Sequence, residues 1–334
     1  IIFDFYRSFK KNYSSNNYLP TIYSMFVLFF LIGVMSKYKN FGIDFPGQII
    51  ILFIFLIFFE RYKLISSNKE NTTFFFLVAL ALFVFTIKLI NVLIFLLLLI
   101  IFFQLKKRFF IFFISTFIML PTILWLIQNY IISQCLIWPI AITCIYNFDS
   151  AIHEMYLIES YSKNVLEMGY AKDEIEIILK NFGWFPIWFE NHFPKLLEIY
   201  AAYFIFLIIP VIIFKFKKAS TTNNNFIESD KKLLNFNLAN PYLIFSFVSI
   251  ISTLFWFLKA PGYRFGISYN LNFLIIFLFP MWCNILIKDK NFFKNSIKIL
   301  FTIGMLFFAF NNILKSQQYI ERHGLEWPNI VNGE

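Results

Sequence analysis

The sequence predicts an all-α protein built as a polytopic bundle of transmembrane helices. Of its 334 residues, 59% are hydrophobic and only 14% are charged, whereas soluble domains carry about 25% charged residues. The apolar residues occur in long blocks, and a helix needs about 20 mostly apolar residues to cross the hydrocarbon core. Backbone polar groups inside lipid must be paired within their own segment, so these blocks are expected to be helices.

Nine hydrophobic blocks approach this length, and each predicts one helix of the bundle. The second block is short and is expected to begin near Ile43, and only Lys88 separates the third from the fourth. These two form either a hairpin or one long helix with a buried lysine, which would leave an unpaired charge in lipid. The blocks cover Leu19–Met35, Ile49–Phe59, Thr73–Ile87, Leu89–Phe103, Phe109–Gln128, Leu196–Phe214, Pro241–Leu258, Leu271–Ile287 and Ile299–Ile313.

The basic residues predict the orientation. The net charge is +10, and the cations lie between the hydrophobic blocks, which argues against nucleic-acid binding and for loops at a membrane surface. With a cytoplasmic N-terminus, the dense clusters Lys106–Arg108 and Lys215–Lys218 fall inside, as the positive-inside rule requires, and the C-terminus falls outside. We therefore expect one transmembrane domain over residues 1–334 in a bacterial cytoplasmic membrane. The first residue, Ile1, is also compatible with a fragment that lacks its true N-terminus.

The long segment 129–195 is predicted to lie outside, and it is too apolar to be disordered. Two amphipathic helices are expected in it, one that begins near Asp149 and ends at Gly169 and a second over Lys172–Phe182. The aromatic run Gly183–Phe189 is typical of a membrane interface. The segment is therefore predicted to lie on the outer membrane surface.

The histidines and cysteines bound the possible chemistry. The three histidines, His153, His192 and His323, lack the spacing of metal ligands, so no metal site is assigned; any metal would rest on carboxylates, which suit Mg²⁺ or Mn²⁺. Cys135 and Cys144 lie in the outside segment, where oxidising conditions favour a disulfide. The alternative is two small buried residues.

A short outside loop, Lys259–Gly266, contains the first candidate binding residue. Arg264 lies there between aromatic residues and glycines. Its guanidinium is always charged and offers a planar fork of donors that fits phosphate, which the outer leaflet would present at this depth. The equally plausible alternative is an interfacial arginine that extends toward lipid headgroups.

Two further charged residues are predicted outside, each near a helix end. Asp44 is the single acid of the first outside loop and could act as a general base, although a residue at this position can also simply cap the next helix. Lys88 could bind a lipid phosphate, pair with a carboxylate, or only terminate its segment.

Two stretches of the chain resemble a group of uncharacterised bacterial membrane proteins. Trp125–Cys144 is similar to a segment of that group that contains a Trp, an Asn, a Ser-Gly-Cys, an aromatic-Pro pair and a second Cys. Ala260–Gly266 resembles the group's Ala-Pro-Asp-Tyr-Arg-Phe-Gly. The group in turn is similar to the GT-C superfamily of glycosyltransferases, which use a polyprenyl-phosphate-linked sugar.

The resemblance implies a GT-C-like bundle that transfers a sugar from a polyprenyl-phosphate donor in the membrane lipid to a glycan or protein acceptor outside, in cell-envelope glycan assembly. It gives Arg264 the contact with the lipid phosphate, whereas the superfamily's catalytic acid cannot be mapped safely. Gln134 stands where the group has glycine, and Gly262 stands where it has an acid, which is also compatible with an inactive copy. Two alternatives stay open: an O-antigen polymerase or ligase, and a non-enzymatic transporter or flippase.

Overall fold

A computed structural model describes residues 1–15, 17–35, 44–66, 71–105, 118–219 and 240–323. Within these ranges the chain is helical and contains no β-strand. The α-helices are α1 (Ile2–Ser14), α2 (Tyr18–Met35), α3 (Asp44–Ser66), α4 (Asn71–Ile87), α5 (Ile94–Gln104), α6 (Leu120–Ser133), α7 (Phe148–Ser162), α8 (Lys172–Lys180), α9 (Trp184–Asn191), α10 (Phe193–Ala219), α11 (Pro241–Lys259), α12 (Ile267–Lys288) and α13 (Lys290–His323).

The apolar blocks of the sequence form helices close to their predicted bounds. Helix α3 begins at Asp44, one residue after the predicted start. The third and fourth blocks are two separate helices, because the backbone is extended at Lys88 and a 3-10 turn, Leu89–Leu93, precedes α5. The cluster Lys106–Arg108 and the first part of the fifth block lie outside the described residues.

Four of the described helical segments are long and apolar enough to cross a membrane: Asp44–Tyr62, Pro241–Lys259, Tyr263–Lys288 and Lys290–Gln318. Helix α10 is a fifth candidate if its two parts, which are bent by 42°, form one span. Four shorter apolar stretches lie in α2, α4, α5 with its preceding 3-10 turn, and α6: Tyr18–Gly33, Asn71–Ile87, Leu89–Gln104 and Leu120–Ser133. The longest has 17 residues and covers only about 25 Å of a hydrocarbon core of about 30 Å. The count of nine transmembrane helices therefore stays a prediction.

Helix α2 lies at the centre of the molecule. Its side chains from Pro20 to Leu31 are all buried, and it packs against α1, α3, α10, α12 and α13. Aromatic pairs join it to its neighbours, with Phe26 against Trp282 and Phe30 stacked on Tyr200. A helix that is apolar on every side is expected to be buried in this way.

The two ends of α3 collect different polar groups. Asp44 lies at one end, and Glu60, about 24 Å along the helix, accepts hydrogen bonds from Ser8 Oγ and Asn12 Nδ2, both at 2.6 Å. The α12–α13 junction lies at the Glu60 end as well, because the Lys290 ammonium is 5.1 Å from the ring of a tyrosine in α1. In the described part of the chain, the basic segments that are predicted to share one side of the membrane therefore lie at the same end of the bundle.

The segment 129–195 contains three helices of its own instead of the predicted two. The first, α7, ends at Ser162 and does not continue to Gly169 as predicted. The reason is local, since Asn164 adopts a left-handed backbone conformation with φ 60°, which a helix cannot accommodate. The aromatic run predicted as an interfacial segment forms the third helix, α9.

The tryptophans of α9 point into the protein. Trp184 and Trp188 are 2% and 5% exposed and belong to the main hydrophobic core. Phe185 and Phe189, on the other side of α9, are exposed and remain available to a membrane interface. A helix divides its aromatic residues between two faces, so the two indoles pack on the protein, and the position of the run at a membrane interface stays a prediction.

Candidate functional site

Asp44 and Lys88 form an ion pair at the first turn of α3. The Lys88 ammonium donates a hydrogen bond to Asp44 Oδ1 at 2.7 Å, and the two side chains are 31% and 11% exposed. The sequence left open whether this lysine pairs with a carboxylate or with a lipid phosphate; in the ligand-free chain it pairs with the carboxylate. Asp44 also lies where the helix dipole favours a negative charge.

Lys88 also contacts the turn that carries Arg264. Its ammonium lies 3.2 Å from the centroid of the Phe265 ring, a cation–π contact, and the guanidinium carbon of Arg264 lies 5.8 Å from the same ring. Burial lowers the pKa of Lys88, the Asp44 carboxylate opposes this effect, and the charge of Arg264 adds to the lowering. The three charged residues singled out in the sequence therefore meet at one end of the bundle.

A buried polar network connects the elements that carry these charges. Gln48 Oε1 accepts hydrogen bonds from the Ser268 backbone N–H at 3.1 Å and from its hydroxyl at 2.6 Å. Gln48 Nε2 donates to Asn91 Oδ1 at 3.4 Å, and the Tyr269 hydroxyl donates to the same oxygen at 3.0 Å. All four residues are almost fully buried. Paired polar groups in such a setting fix the relative position of the elements that bear them.

Two indoles hold the backbone of the arginine turn. Trp188 Nε1 donates to the carbonyl of Pro261 at 2.8 Å, and Trp256 Nε1 donates to the carbonyl of Gly262 at 3.1 Å. The turn is thus attached to both α9 and α11 through its carbonyls. Its Arg264 side chain stays exposed and can reach a ligand.

Segment 129–195 contacts the same end of the bundle. Lys163 is 1% exposed and its ammonium donates to Glu159 at 2.7 Å while lying 4.3 Å from the Trp184 ring. Lys259, which precedes the arginine turn, approaches the same carboxylate at 3.9 Å. Burial lowers the pKa of Lys163, and Glu159 opposes the lowering.

His192 is buried beside the site, at the junction of α9 and α10. Its Nε2 lies 2.9 Å from Asn164 Oδ1, and its ring centroid lies 6.3 Å from that of Tyr263. Burial first, and then the charges of Lys195 and Arg264, lower the pKa of His192 to about 4. The imidazole is therefore neutral at pH 7.

The structure joins Cys135 and Cys144 by a disulfide. Both pack in a small cluster with Ala141 and Ala151, apart from the main core. The residue before the first cysteine, Gln134, has φ 57°, in the left-handed region that favours glycine.

No group of three or more His, Cys, Asp and Glu side chains in the described part of the chain is arranged to hold a metal ion. Asp44 itself pairs with Lys88, and Arg264 lies close enough to that lysine to act on its pKa. These residues therefore do not form the carboxylate cluster that Mg²⁺ or Mn²⁺ prefers.

Several residues that build the site carry no motif in the sequence. One sequence feature could have indicated Gln48, Asn91 and Ser268. They are polar residues next to or within apolar helices, and such residues usually have a function. Gly266 is needed for packing, because a Cβ there would lie 2.3 Å from the Trp256 ring.

Fold and site together define an all-helical protein with apolar helices able to span a membrane and with a charged site at one end. The chain belongs to the family described as Domain of unknown function (DUF8201), whose model matches residues 1–271. The matched range includes Asp44, Lys88 and Arg264. Comparisons with curated proteins and with solved structures give no match.

Proposed function

We propose that this protein is a GT-C-like membrane glycosyltransferase. It would transfer a sugar from a polyprenyl-phosphate donor to a glycan or protein acceptor in cell-envelope assembly. The supporting observation is the meeting of one carboxylate and two cations at one end of an apolar bundle. A polyprenyl phosphate has the complementary form, with an anionic head group on a long apolar chain.

The phosphate of the donor would lie between Arg264 and Lys88. Arg264 is exposed and offers two parallel donors to phosphate oxygens, and Lys88 offers a compact charge that is partly accessible. The apolar chain would then extend along the lipid-facing helices. We place this end of the bundle on the outer face of a bacterial cytoplasmic membrane, with the N-terminus inside and the C-terminus outside.

Asp44 would act as the general base. It accepts the proton of the acceptor hydroxyl while that oxygen forms a bond to the anomeric carbon. The bond between the anomeric carbon and the phosphate oxygen breaks, and the electron pair leaves on polyprenyl phosphate. Lys88 and Arg264 stabilise the negative charge that develops on this leaving group.

The Asp44–Lys88 pair suggests that donor binding precedes proton transfer. In the free chain the Lys88 ammonium donates a hydrogen bond to Asp44 Oδ1 at 2.7 Å. A donor phosphate competes for that ammonium and frees the carboxylate to receive a proton. The base would thus be exposed only when the donor is bound.

The test is donor turnover by purified protein in one detergent. Wild type, Arg264→Lys and Arg264→Ala are compared, and release of decaprenyl phosphate is measured from decaprenyl-phosphate mannose, glucose and arabinose with total cell-envelope glycan as acceptor. We expect Arg264→Ala to lower turnover by about 10- to 100-fold. Arg264→Lys should be clearly impaired, because lysine keeps the charge and loses the fork.

The matched control is Arg7→Ala. Arg7 is an exposed arginine in α1 that contacts only an aromatic ring among the described contacts of its side chain, and it lies at the end opposite to Asp44. Its variant should turn over donor like wild type. Equal turnover by all four proteins would remove Arg264 from phosphate binding, and no turnover by wild type with any donor would contradict glycosyl transfer.

A further inference from the structure

His192 is a buried histidine at the junction of helices α9 and α10. It is 7% exposed, and its backbone N–H continues the last turn of α9 by donating to the Trp188 carbonyl at 2.8 Å. Its ring lies between Trp188 and Tyr263, with centroid distances of 6.4 and 6.3 Å. The ring is therefore fixed in place.

One ring nitrogen of His192 has a partner and the other has none. Nε2 lies 2.9 Å from Asn164 Oδ1, and since an amide oxygen only accepts, Nε2 carries the hydrogen. Nδ1 is then an acceptor, and it is buried without a hydrogen-bond partner. Buried polar atoms are almost always paired, so the missing donor is expected from outside the chain.

Two cations act on the same imidazole. Lys195 and Arg264 both lower the pKa of His192, and the Lys195 ammonium lies 5.8 Å from the ring centroid of Tyr263, the aromatic residue next to His192. These charges keep the imidazole neutral, so Nδ1 remains an acceptor at pH 7. They also favour an anionic ligand beside it.

We propose that His192 is the hydroxyl-binding residue of a subsite for a phosphorylated, hydroxyl-bearing ligand. A hydroxyl of the ligand donates to Nδ1 while its phosphate lies between Arg264 and Lys88, and Lys195 adds positive charge on the side of Tyr263. Resting on the proposed function, the ligand is the sugar-phosphate head group of the lipid donor. The half-buried Tyr263 ring is the neighbour of His192 on the turn that carries Arg264, and we place the ligand's approach to the buried Nδ1 beside it.

The experiment compares a lipid phosphate with three lipids that carry a sugar on the same phosphate. Full-length protein in phosphatidylcholine nanodiscs is titrated with decaprenyl phosphate and with decaprenyl-phosphate glucose, mannose and arabinose. Wild type should bind at least one sugar lipid about tenfold more tightly than decaprenyl phosphate. Equal affinities for all four lipids would overturn the assignment of His192 while leaving phosphate recognition intact.

Two variants separate the ring nitrogens. The amide of His192→Gln can take the place of Nε2 and keep the Asn164 contact, because both are two bonds beyond Cγ, and it leaves nothing at the Nδ1 position. The amide of His192→Asn takes the place of Nδ1. His192→Gln should therefore lose the preference for the sugar lipid, and His192→Asn should retain most of it; the reverse order would contradict the proposal.

Arg264→Gln provides the third comparison, since it should weaken binding of both kinds of lipid by a similar factor. A last arm replaces part of the phosphatidylcholine by phosphatidylglycerol, which also carries phosphate and hydroxyls. If phosphatidylglycerol displaces the sugar lipid at equal concentration, the site binds ordinary headgroups and the sugar assignment fails. If wild type binds no polyprenyl lipid at all, the proposed function itself fails.

Discussion

Asp44 has two structural roles in the ligand-free chain: it begins helix α3, and it neutralises Lys88. The capping interpretation and the catalytic interpretation of this residue are therefore compatible. A substitution that keeps the shape and the hydrogen bond separates them. Asparagine does so, because its side-chain oxygen can still accept from Lys88 and it cannot take up a proton.

We predict that Asp44→Asn abolishes donor turnover, by at least about 100-fold, as expected when a general base is removed. The protein should remain folded, with helix content unchanged by circular dichroism. Glu60→Gln is the matched control, because Glu60 binds two side chains at the far end of the same helix and should stay active. An active Asp44→Asn protein would leave this residue with the capping role alone.

His192 predicts a pH dependence of stability. Its pKa is about 4 in the folded chain and 6.5 ordinarily, so between these values the unfolded chain binds more protons. The free energy of unfolding is thus complete above pH 6.5 and falls as the pH drops toward 4. The charged groups that act on the ring are Lys195 and Arg264.

The loss attributable to His192 should be about 1–2 kcal/mol at pH 5. Thermal unfolding in detergent at pH 7 and pH 5 measures it, with His192→Gln as the non-titrating reference. Wild type should lose more stability than the variant between the two pH values. Parallel losses would show that the imidazole is already solvated, which would also weaken the case for a subsite at Nδ1.

At the scale of elements, the site depends on three segments meeting at Gln48. Its side chain bonds the start of α12 and the turn after Lys88, and Asp44 precedes it by one helical turn. The buried amide is therefore one of the contacts that hold the acid and the two cations in position.

We predict that Gln48→Met lowers affinity for decaprenyl phosphate by about tenfold or more, since it removes the hydrogen bonds to Ser268 and leaves Asn91 with one partner fewer. Gln48→Glu should retain more affinity, because a carboxylate oxygen still accepts from the Ser268 N–H and hydroxyl. Binding in nanodiscs measures both. Equal losses in the two variants would mean that the site is insensitive to this network.

The helices themselves were largely predictable from the sequence. Hydropathy located the starts of α3 and α11 to within a few residues, and the cost of a buried lysine separated α4 from α5. The third helix of segment 129–195, α9, was not predicted. A short run of aromatic residues is compatible with a non-helical segment at a membrane interface as well as with a helix. The backbone at Asn164, which ends α7 early, has no signal in hydropathy.

The sequence indicated the individual residues of the candidate site but did not indicate that they lie close together. Charge in an apolar sequence drew attention to Asp44, Lys88 and Arg264 individually. Their meeting depends on how α3, α4 and α12 pack, and periodicity along one helix does not contain that information. The roles of Trp188 and Trp256, which bind backbone carbonyls of the arginine turn, also arise only from packing.

The whole molecule has two polar ends joined by apolar helices. One end contains Asp44, Lys88, Arg264 and segment 129–195, and the other contains the Glu60 end of α3, the helix α1 and the α12–α13 junction. This arrangement agrees with the alternation that the basic residues predict across the described segments. A bundle of this kind is expected to place its two ends on opposite sides of a bilayer.

The last prediction tests that placement by cysteine labelling in a bacterial host. In a Cys283→Ser background, where the other cysteines are in the disulfide, single cysteines are introduced at the exposed positions Arg7, Glu167 and Lys215. Helix α10 separates Glu167 from Lys215 by about 33 Å along its axis, and Arg7 lies at the Lys215 end. Glu167→Cys should react with an impermeant maleimide in intact spheroplasts, and Arg7→Cys and Lys215→Cys should react only after permeabilisation. Labelling of Glu167→Cys and Lys215→Cys from one side would refute the crossing of α10. A different result would be labelling of Arg7→Cys and Glu167→Cys from one side and of Lys215→Cys from the other. The chain would then cross the membrane an even number of times between α1 and segment 129–195. At least one of the short helices α2, α4, α5 and α6 would therefore not span the membrane.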